Sequence, residues 1–292
     1  MPPPSPALGD DPHMAHDVIY DPEAIKCCPN NNPLIDFAGH KWWTNYHWSK
    51  QSGPYVWGGN NPNEPVFGTV FDPYLATVWE SGQIKGIKLE IQPPNAKYTS
   101  WRTSEVVLMD NLGYGRYLVS AGTGMGTGFA SLDPNVVFGV FTYQFTPAPL
   151  SDGPNVQREI DALEILSRGH PGDAQFMLQP WDNRPPGLYF NIPQNISRIT
   201  VTLDWYLGTN GQKVAKFAVY KDRYSFSNLP PVNQALAQLD ATNKPFRDLI
   251  PSHGWERFHF NLWLMHGRVP QGPQEVVVDG FEYLPPPKTQ EP

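Results

Sequence analysis

Apolar and polar positions alternate with a period of two along most of this chain. Gly86-Ile87-Lys88-Leu89-Glu90-Ile91 is the plainest case, and Pro93-Pro94 stops it. Stretches of the same kind recur at Ser104–Met109, Gly115–Ser120, Val136–Phe145, Ala174–Gln179, Ile199–Trp205, Val214–Tyr220, Phe258–Met265 and Glu275–Tyr283. Turn-forming clusters such as Gly58-Gly59-Asn60-Asn61-Pro62-Asn63 lie between them. Only Val232–Leu239 has helical spacing, inside an insertion bounded by Pro230-Pro231 and Pro245. Many short strands and no internal repeat predict an all-β fold, a large antiparallel sandwich. Residues 21–285 read as one such domain, residues 1–20 as a Pro-rich disordered leader or added tag, and 286–292 as a tail.

One strand departs from the pattern. Arg158-Glu159-Ile160-Asp161-Ala162-Leu163-Glu164-Ile165 packs three carboxylates into six residues of an otherwise apolar run. On an extended strand Glu159 and Asp161 share a face, while Glu164 has the wrong parity and points away. One extra residue taken up as a β-bulge would bring Glu164 round beside the other two. Burying three acids together is costly unless their proton affinities are put to use. Two carboxylates flanking a sugar bond are what retaining glycoside hydrolysis requires. The plainer alternative is a solvated edge strand, where acids are common.

Composition sharpens this. The 292 residues include 33 Pro and 25 Gly, as expected for many turns, and ten Trp are more than a core usually needs. Some of these rings would stack on flat ligand faces, others would pack in the core and turns. A net charge of −7 and the lack of a basic stripe in the sequence argue against nucleic acid, and disfavour sulfated polysaccharides unless a local basic patch overrides the mean. No apolar run is long enough to span a membrane, and Met1–Met14 does not read as a signal peptide. The adjacent Cys27 and Cys28 are expected to be reduced thiols, uninformative about compartment.

Several other motifs carry little chemistry. Gly122-Thr123-Gly124-Met125-Gly126-Thr127-Gly128 lacks both dinucleotide spacing and a following helix, and fits a closely approached strand end. His253, His259 and His266 lack metal-ligand spacing, so no metal is expected. No serine or cysteine sits in a nucleophile elbow. Asn195-Ile196-Ser197 is a glycosylation sequon, meaningful only in a secreted eukaryotic protein.

Glu159-Ile160-Asp161-Ala162-Leu163-Glu164 resembles the Glu-x-Asp-x-x-Glu signature of family 16 glycoside hydrolases in its bulged, laminarinase-like form. Tyr98–Val106 with Tyr114–Tyr117, Leu132–Tyr143, Ala174–Trp181 and Asn261–Leu264 are similar, in order, to strands flanking that signature in bacterial members. The resemblance runs over roughly residues 34–285, leaving out the leader and the 225–250 insertion. It implies a concanavalin-like β-jelly roll whose concave face forms a glycan cleft. It also implies Glu159 as nucleophile, Glu164 as general acid and then base, and Asp161 as the residue between them. Trp101, Tyr143, Trp181 and Trp263 become candidates for stacking on sugars, and Gln179 and Asn261 for hydrogen-bonding hydroxyls, each with packing as the alternative. The resemblance implies no cofactor. The expected partner is a polysaccharide, the expected state a monomer, and the expected compartment secreted or periplasmic.

The flanking segments are most similar to bacterial members that carry a shorter Glu-x-Asp-x-Glu form. An unbulged strand would put Leu163 at the third position and leave a glycan-binding relative without turnover. A bulged strand predicts a retaining endo-β-glycanase on β-1,3- or mixed-linked glucan, or a transglycosylase using the same acids. A sandwich acting on something other than glycans is a third class.

Overall fold

The structure, a computed structural model, describes residues 33–45, 70–96, 101–124, 126–144, 147–166, 172–180, 187–265 and 269–287. The 1–20 leader, Cys27, Cys28, the Gly58–Asn63 loop, Trp181 and His266 lie outside the described residues. Alternation puts one apolar row of each strand inward, and two sheets close over those rows. The larger sheet runs β1 (Leu34–Phe37), β2 (His40–Thr44), β6 (Arg102–Leu108), β15 (Arg257–Leu264), β8 (Val136–Tyr143), β9 (Ile160–Ile165), β10 (Ala174–Leu178), β11 (Gly187–Phe190). A short β3 (Val70–Phe71) lies parallel beside β6, and every other pairing is antiparallel. The smaller sheet runs β14 (Ala237–Asp240), β13 (Lys213–Lys221), β12 (Arg198–Leu207), β7 (Gly115–Thr123), β16 (Gln274–Leu284), β5 (Ile84–Ile91), β4 (Ala76–Ser81). This is a jelly-roll sandwich of two antiparallel sheets.

The core lies between the sheets. Ile87, Leu89 and Ile91 of β5 are fully buried, as are Trp42, Leu108, Phe138 and Phe260 of the opposite sheet. Trp42 stacks on Phe260 at 4.5 Å and meets Phe281 of β16 edge-on at 5.0 Å. Each such side chain contributes about 1.5–3 kcal/mol of burial, which makes the sandwich a stiff platform for its outward face.

Val232–Leu239 is not the expected helix. Val232–Gln234 forms a single 3-10 turn, and Ala237–Asp240 is a strand that pairs with Lys216–Val219 of β13. Positions 232, 235, 236 and 239 do carry helical spacing, but two turns after Pro230-Pro231 are too short to hold alone. The open edge of β13 supplies ladder hydrogen bonds instead, and Leu236, Ala237 and Leu239 pack on the core. Of the Gly122–Gly128 run, Gly122 and Thr123 end β7, and Gly126 and Gly128 take φ of 66° and 88°. A 3-10 turn, Phe129–Ser131, follows it.

Candidate active site

The three acids lie at and just before β9. Asp161 pairs with Phe141 of β8 and Met177 of β10, Leu163 pairs with Val140, and Glu164 pairs with Gly139 and Gln175. Residues 161 and 163 therefore face consecutive partners on β8, and Ala162 is the extra residue of a β-bulge. Ile160, Ala162, Leu163 and Ile165 all join the core cluster, while Asp161 and Glu164 take the opposite, outward face. Glu159 immediately precedes the strand, with the parity of Asp161, and its carbonyl accepts from the Gln179 amide at 3.4 Å.

Neighbouring strands supply a polar floor. Glu105 pairs with Asn261, Asn261 with Gly139, and Gly139 with Glu164, so these positions form one row across β6, β15, β8 and β9. The buried Glu105 carboxylate accepts from Asn45 Nδ2 at 2.7 Å and Asn261 Nδ2 at 3.3 Å, and contacts His259 Nδ1 at 3.3 Å. A Cβ on Gly139 would stand 2.4 Å from Asn261 Oδ1, so the bare backbone there is what lets Asn261 lie across the strand toward Glu164. Asn261 Oδ1 and Gln175 Oε1 are buried without a hydrogen-bond partner among the described residues, acceptors that a ligand hydroxyl could use. His259, buried in the next row, stacks on Phe141 at 4.8 Å and meets Tyr143 edge-on at 6.0 Å.

Electrostatics set this cluster apart. Burial, and then the nearby charges of Glu164 and Glu105, push the Glu159 carboxyl up to about 8. Burial raises Asp161 well above the usual carboxylate range, Glu159 and Glu164 add to the rise, and the Gln179 Nε2 hydrogen bond at 3.1 Å opposes it. Glu164 is also raised by burial, and a short hydrogen bond from Gln175 Nε2 offsets part of the rise. No lysine or arginine pairs with any of the three among the described residues. Close acids without a cation share protons, and their titration belongs to the cluster as a whole.

The candidate sugar-contacting residues fall into three groups. Tyr143 and Trp263 are half-buried on the outward face, Trp263 two residues beyond Asn261 on β15. Gln179 is hydrogen-bonded to Asp161 and Asn261 to Glu105, so both belong to the acid cluster's own network. Trp101 is half-buried against the hydrophobic core. Asn45, Glu105 and Gln175 were not singled out in the sequence, and His259 was weighed there only as a metal ligand, although Glu105, His259 and Gln175 stand at outward positions of recognisable strands. Two adjoining cavities of about 350 and 340 Å³ surround Leu132 and Asp133, and neither is lined by any of the three acids.

A scan against models of known protein families finds no match, and neither does a search of curated proteins. Solved structures do match in fold. A Bacteroides ovatus mixed-linkage-glucan family 16 glycoside hydrolase, solved with a product, aligns at TM-score 0.51 and 12% identity over 87% of this chain and 98% of that one. The Bacillus licheniformis β-glucanase aligns at 0.52 and 16% over 86% and 95%. An immunostimulatory antigen and pseudo β-1,3-glucanase of Mycobacterium tuberculosis aligns at 0.53 and 15% over 84% and 90%. The chain has the fold of the family 16 glycoside hydrolases.

Proposed function

We propose that this protein is a retaining endo-β-glycanase acting on β-1,3- or mixed-linked glucan. The observation that carries the reading is the bulge at Ala162, which places Glu164 on the face of Glu159 and Asp161. Retention needs two carboxyl groups about 5–5.5 Å apart on one side of the scissile bond, and two acids on one face of a bulged strand suit that spacing. Glu159 as carboxylate attacks the anomeric carbon, the bond to the leaving sugar breaks, and Glu164 gives its proton to the departing oxygen. Water then attacks the glycosyl-enzyme, Glu164 takes its proton, and Glu159 leaves as carboxylate. A sugar hydroxyl in place of water would make the second step a transfer. A proton kept on Asp161, whose affinity burial raises well above the usual carboxylate range, removes one negative charge from beside Glu159 and so favours the ionised nucleophile while Glu164 stays protonated. A β-glucan polymer is met outside the cytoplasm, so the proposal includes a secreted or periplasmic location.

Reducing-sugar release from laminarin, mixed-linked glucan, xyloglucan, agarose and carrageenan tests the reading, with wild type beside Glu159→Gln and Glu164→Gln. Turnover on a glucan that both substitutions abolish supports it. Turnover that survives Glu164→Gln removes that residue as the acid/base. The fold also serves a protein named a pseudo-glucanase, so glycan binding without turnover is the second reading. Binding with no reducing-end release would select it.

A further inference from the structure

The nucleophile of the proposed reaction lies just outside the ladder of β9, so something other than the sheet must hold it. Asn155 stands four residues before it and is buried. Its Oδ1 accepts from the Glu159 amide at 2.9 Å, and its Nδ2 donates to the Glu159 carbonyl at 2.8 Å. Its own carbonyl accepts from the Arg158 amide at 3.1 Å. The same Nδ2 also reaches the Leu249 carbonyl at 3.3 Å. One side chain thus grips both backbone polar groups of Glu159 and ties them to a second segment.

That second segment closes the connection between β13 and β15, which contains the insertion with no counterpart in the family resemblance. It holds the neighbouring residue as well. Arg158, at a left-handed φ of 48°, donates from Nε to the Ser252 carbonyl at 2.9 Å. Its two terminal nitrogens donate to Gln144 Oε1 and Asp152 Oδ2, each at 2.6 Å. A Cβ on Gly254 would stand 2.4 Å from the Arg158 guanidinium carbon, so the guanidinium lies flat on that glycine. Left-handed backbone at an arginine costs free energy, and this set of bonds offsets it. Thr142 completes the entry to β9, its hydroxyl donating to the Arg158 carbonyl at 2.9 Å and accepting from the Ile160 amide at 3.1 Å.

We propose that Asn155 is a positioning residue for Glu159, fastening the nucleophile's backbone to the Leu249–Gly254 end of the β13–β15 connection. The inference rests on the retaining reading above, and makes the insertion a buttress of the reaction rather than a surface ornament. Removing Asn155 leaves the Glu159 peptide with the long Gln179 hydrogen bond at 3.4 Å and no partner for its amide among the described residues, which lets its carboxylate drift from the line of attack. Misplacement by about 1 Å costs on the order of 10²-fold in rate.

The test is the rate at which dinitrophenyl 2-fluoro-laminaribioside labels Glu159 in wild type, Asn155→Ala and Asn155→Asp, with kcat and KM on glucan. Asn155→Asp keeps the acceptor for the Glu159 amide but turns an oxygen toward two carbonyls, so it should be no better than Asn155→Ala. Expected are labelling and kcat both down on the order of 10²-fold at nearly unchanged KM. A dinitrophenyl leaving group should not rescue the loss, because the missing function is attack and not proton donation. Wild-type labelling in Asn155→Ala overturns the inference and leaves the retaining reading intact. A wild type that is neither labelled nor active overturns that reading, and hydrogen exchange at the Glu159 amide then decides the geometry. Selective loss of protection there in Asn155→Ala, with Ile160–Ile165 unchanged, upholds the positioning contact; unchanged protection removes it.

Discussion

Two strands on opposite sheets use the same device to opposite ends. In β9 the bulge at Ala162 shifts the inward positions from Ile160 to Leu163 and Ile165. In β16 residues 278 and 280 face consecutive partners on β7, so Asp279 is the extra residue, and the inward positions shift from Val276 and Val278 to Phe281. Each bulge leaves acid side chains off the apolar row and largely buried. The difference lies in the company they keep. The Asp279 carboxylate, with no exposed side-chain surface, is ion-paired to Arg198 and lies 3.7 Å from Arg223 Nε. Burial raises its proton affinity, but both arginines pull it back. Among the described residues the acids at β9 are ion-paired to no lysine or arginine, and have one another, the nearby Glu105 and two glutamine donors. A buried acid with cations is a brace, and a group of buried acids without them is a proton store.

The largest effects should come from breaking the proton store. Glu164→Gln is expected to lose ~10²–10⁴-fold in turnover, the range of a missing general acid–base, and Glu159→Gln, which removes the covalent nucleophile, at least as much. Stability should move the other way. A carboxyl whose folded affinity lies above its unfolded one binds more protons when folded, so stability falls as pH rises from about 4.5 to about 8 for Glu159. Glu159→Gln should flatten that fall and melt above wild type near pH 8. Asp161 and Glu164, whose affinities are also raised, keep part of the slope, so a variant whose melting point falls with pH as steeply as wild type would disprove the assignment. Activity should follow the cluster too, with a pH–rate bell displaced upward from the range of ordinary carboxylates.

The brace should answer in stability alone. Asp279→Asn leaves Arg198 and Arg223 facing a neutral partner, and half-exposed arginines limit the cost to about 1–3 kcal/mol. Chemical denaturation reads that loss, and kcat should stay at the wild-type value. A variant that lost turnover without losing stability would erase the contrast between the two bulges. A finer cut is Gln175→Leu, which removes a donor to the Glu164 carboxylate. Its loss favours the protonated acid and should move the alkaline limb of kcat/KM up by about one pH unit, the equivalent of a modest charge-assisted hydrogen bond. An unmoved limb would show that Gln175 does not tune this acid.

Period-two alternation was enough to read the sandwich, because each strand has one face in the core. The acid cluster was legible because three carboxylates break an apolar strand at a spacing only a bulge reconciles. Val232–Leu239 misled because its spacing is helical while its environment is the free edge of β13, and edge pairing outweighs local periodicity in so short a segment. Asn155 left no signal beyond standing four residues before Glu159. Its importance comes from the Leu249 carbonyl, ninety-four residues away, and nothing local encodes that contact. Glu105 and Gln175 were visible as outward positions, but only strand order reveals that they flank the acids.

The smallest effect is also the most telling about the bulge. Deleting Ala162 turns the sequence into Glu-x-Asp-x-Glu, the shorter form of the signature. Val140 already pairs with Leu163 and Phe141 with Asp161, so closing the gap leaves a regular ladder with the same partners. On the other side Gln175 keeps Glu164 and Met177 keeps Asp161. Glu164 then has the parity of Asp161 without a bulge, and Leu163 and Ile165 still face inward. The deletion removes one buried methyl and a local kink, and should change kcat by less than about tenfold, within ~1.4 kcal/mol of barrier. The corresponding deletion of Asp279 would also regularise its ladder but strand two arginines, costing stability as Asp279→Asn does. If the Ala162 deletion instead abolished turnover while the protein stayed folded, the bulge would be part of the catalytic geometry itself. If turnover survives, its role is only to restore parity after one inserted residue.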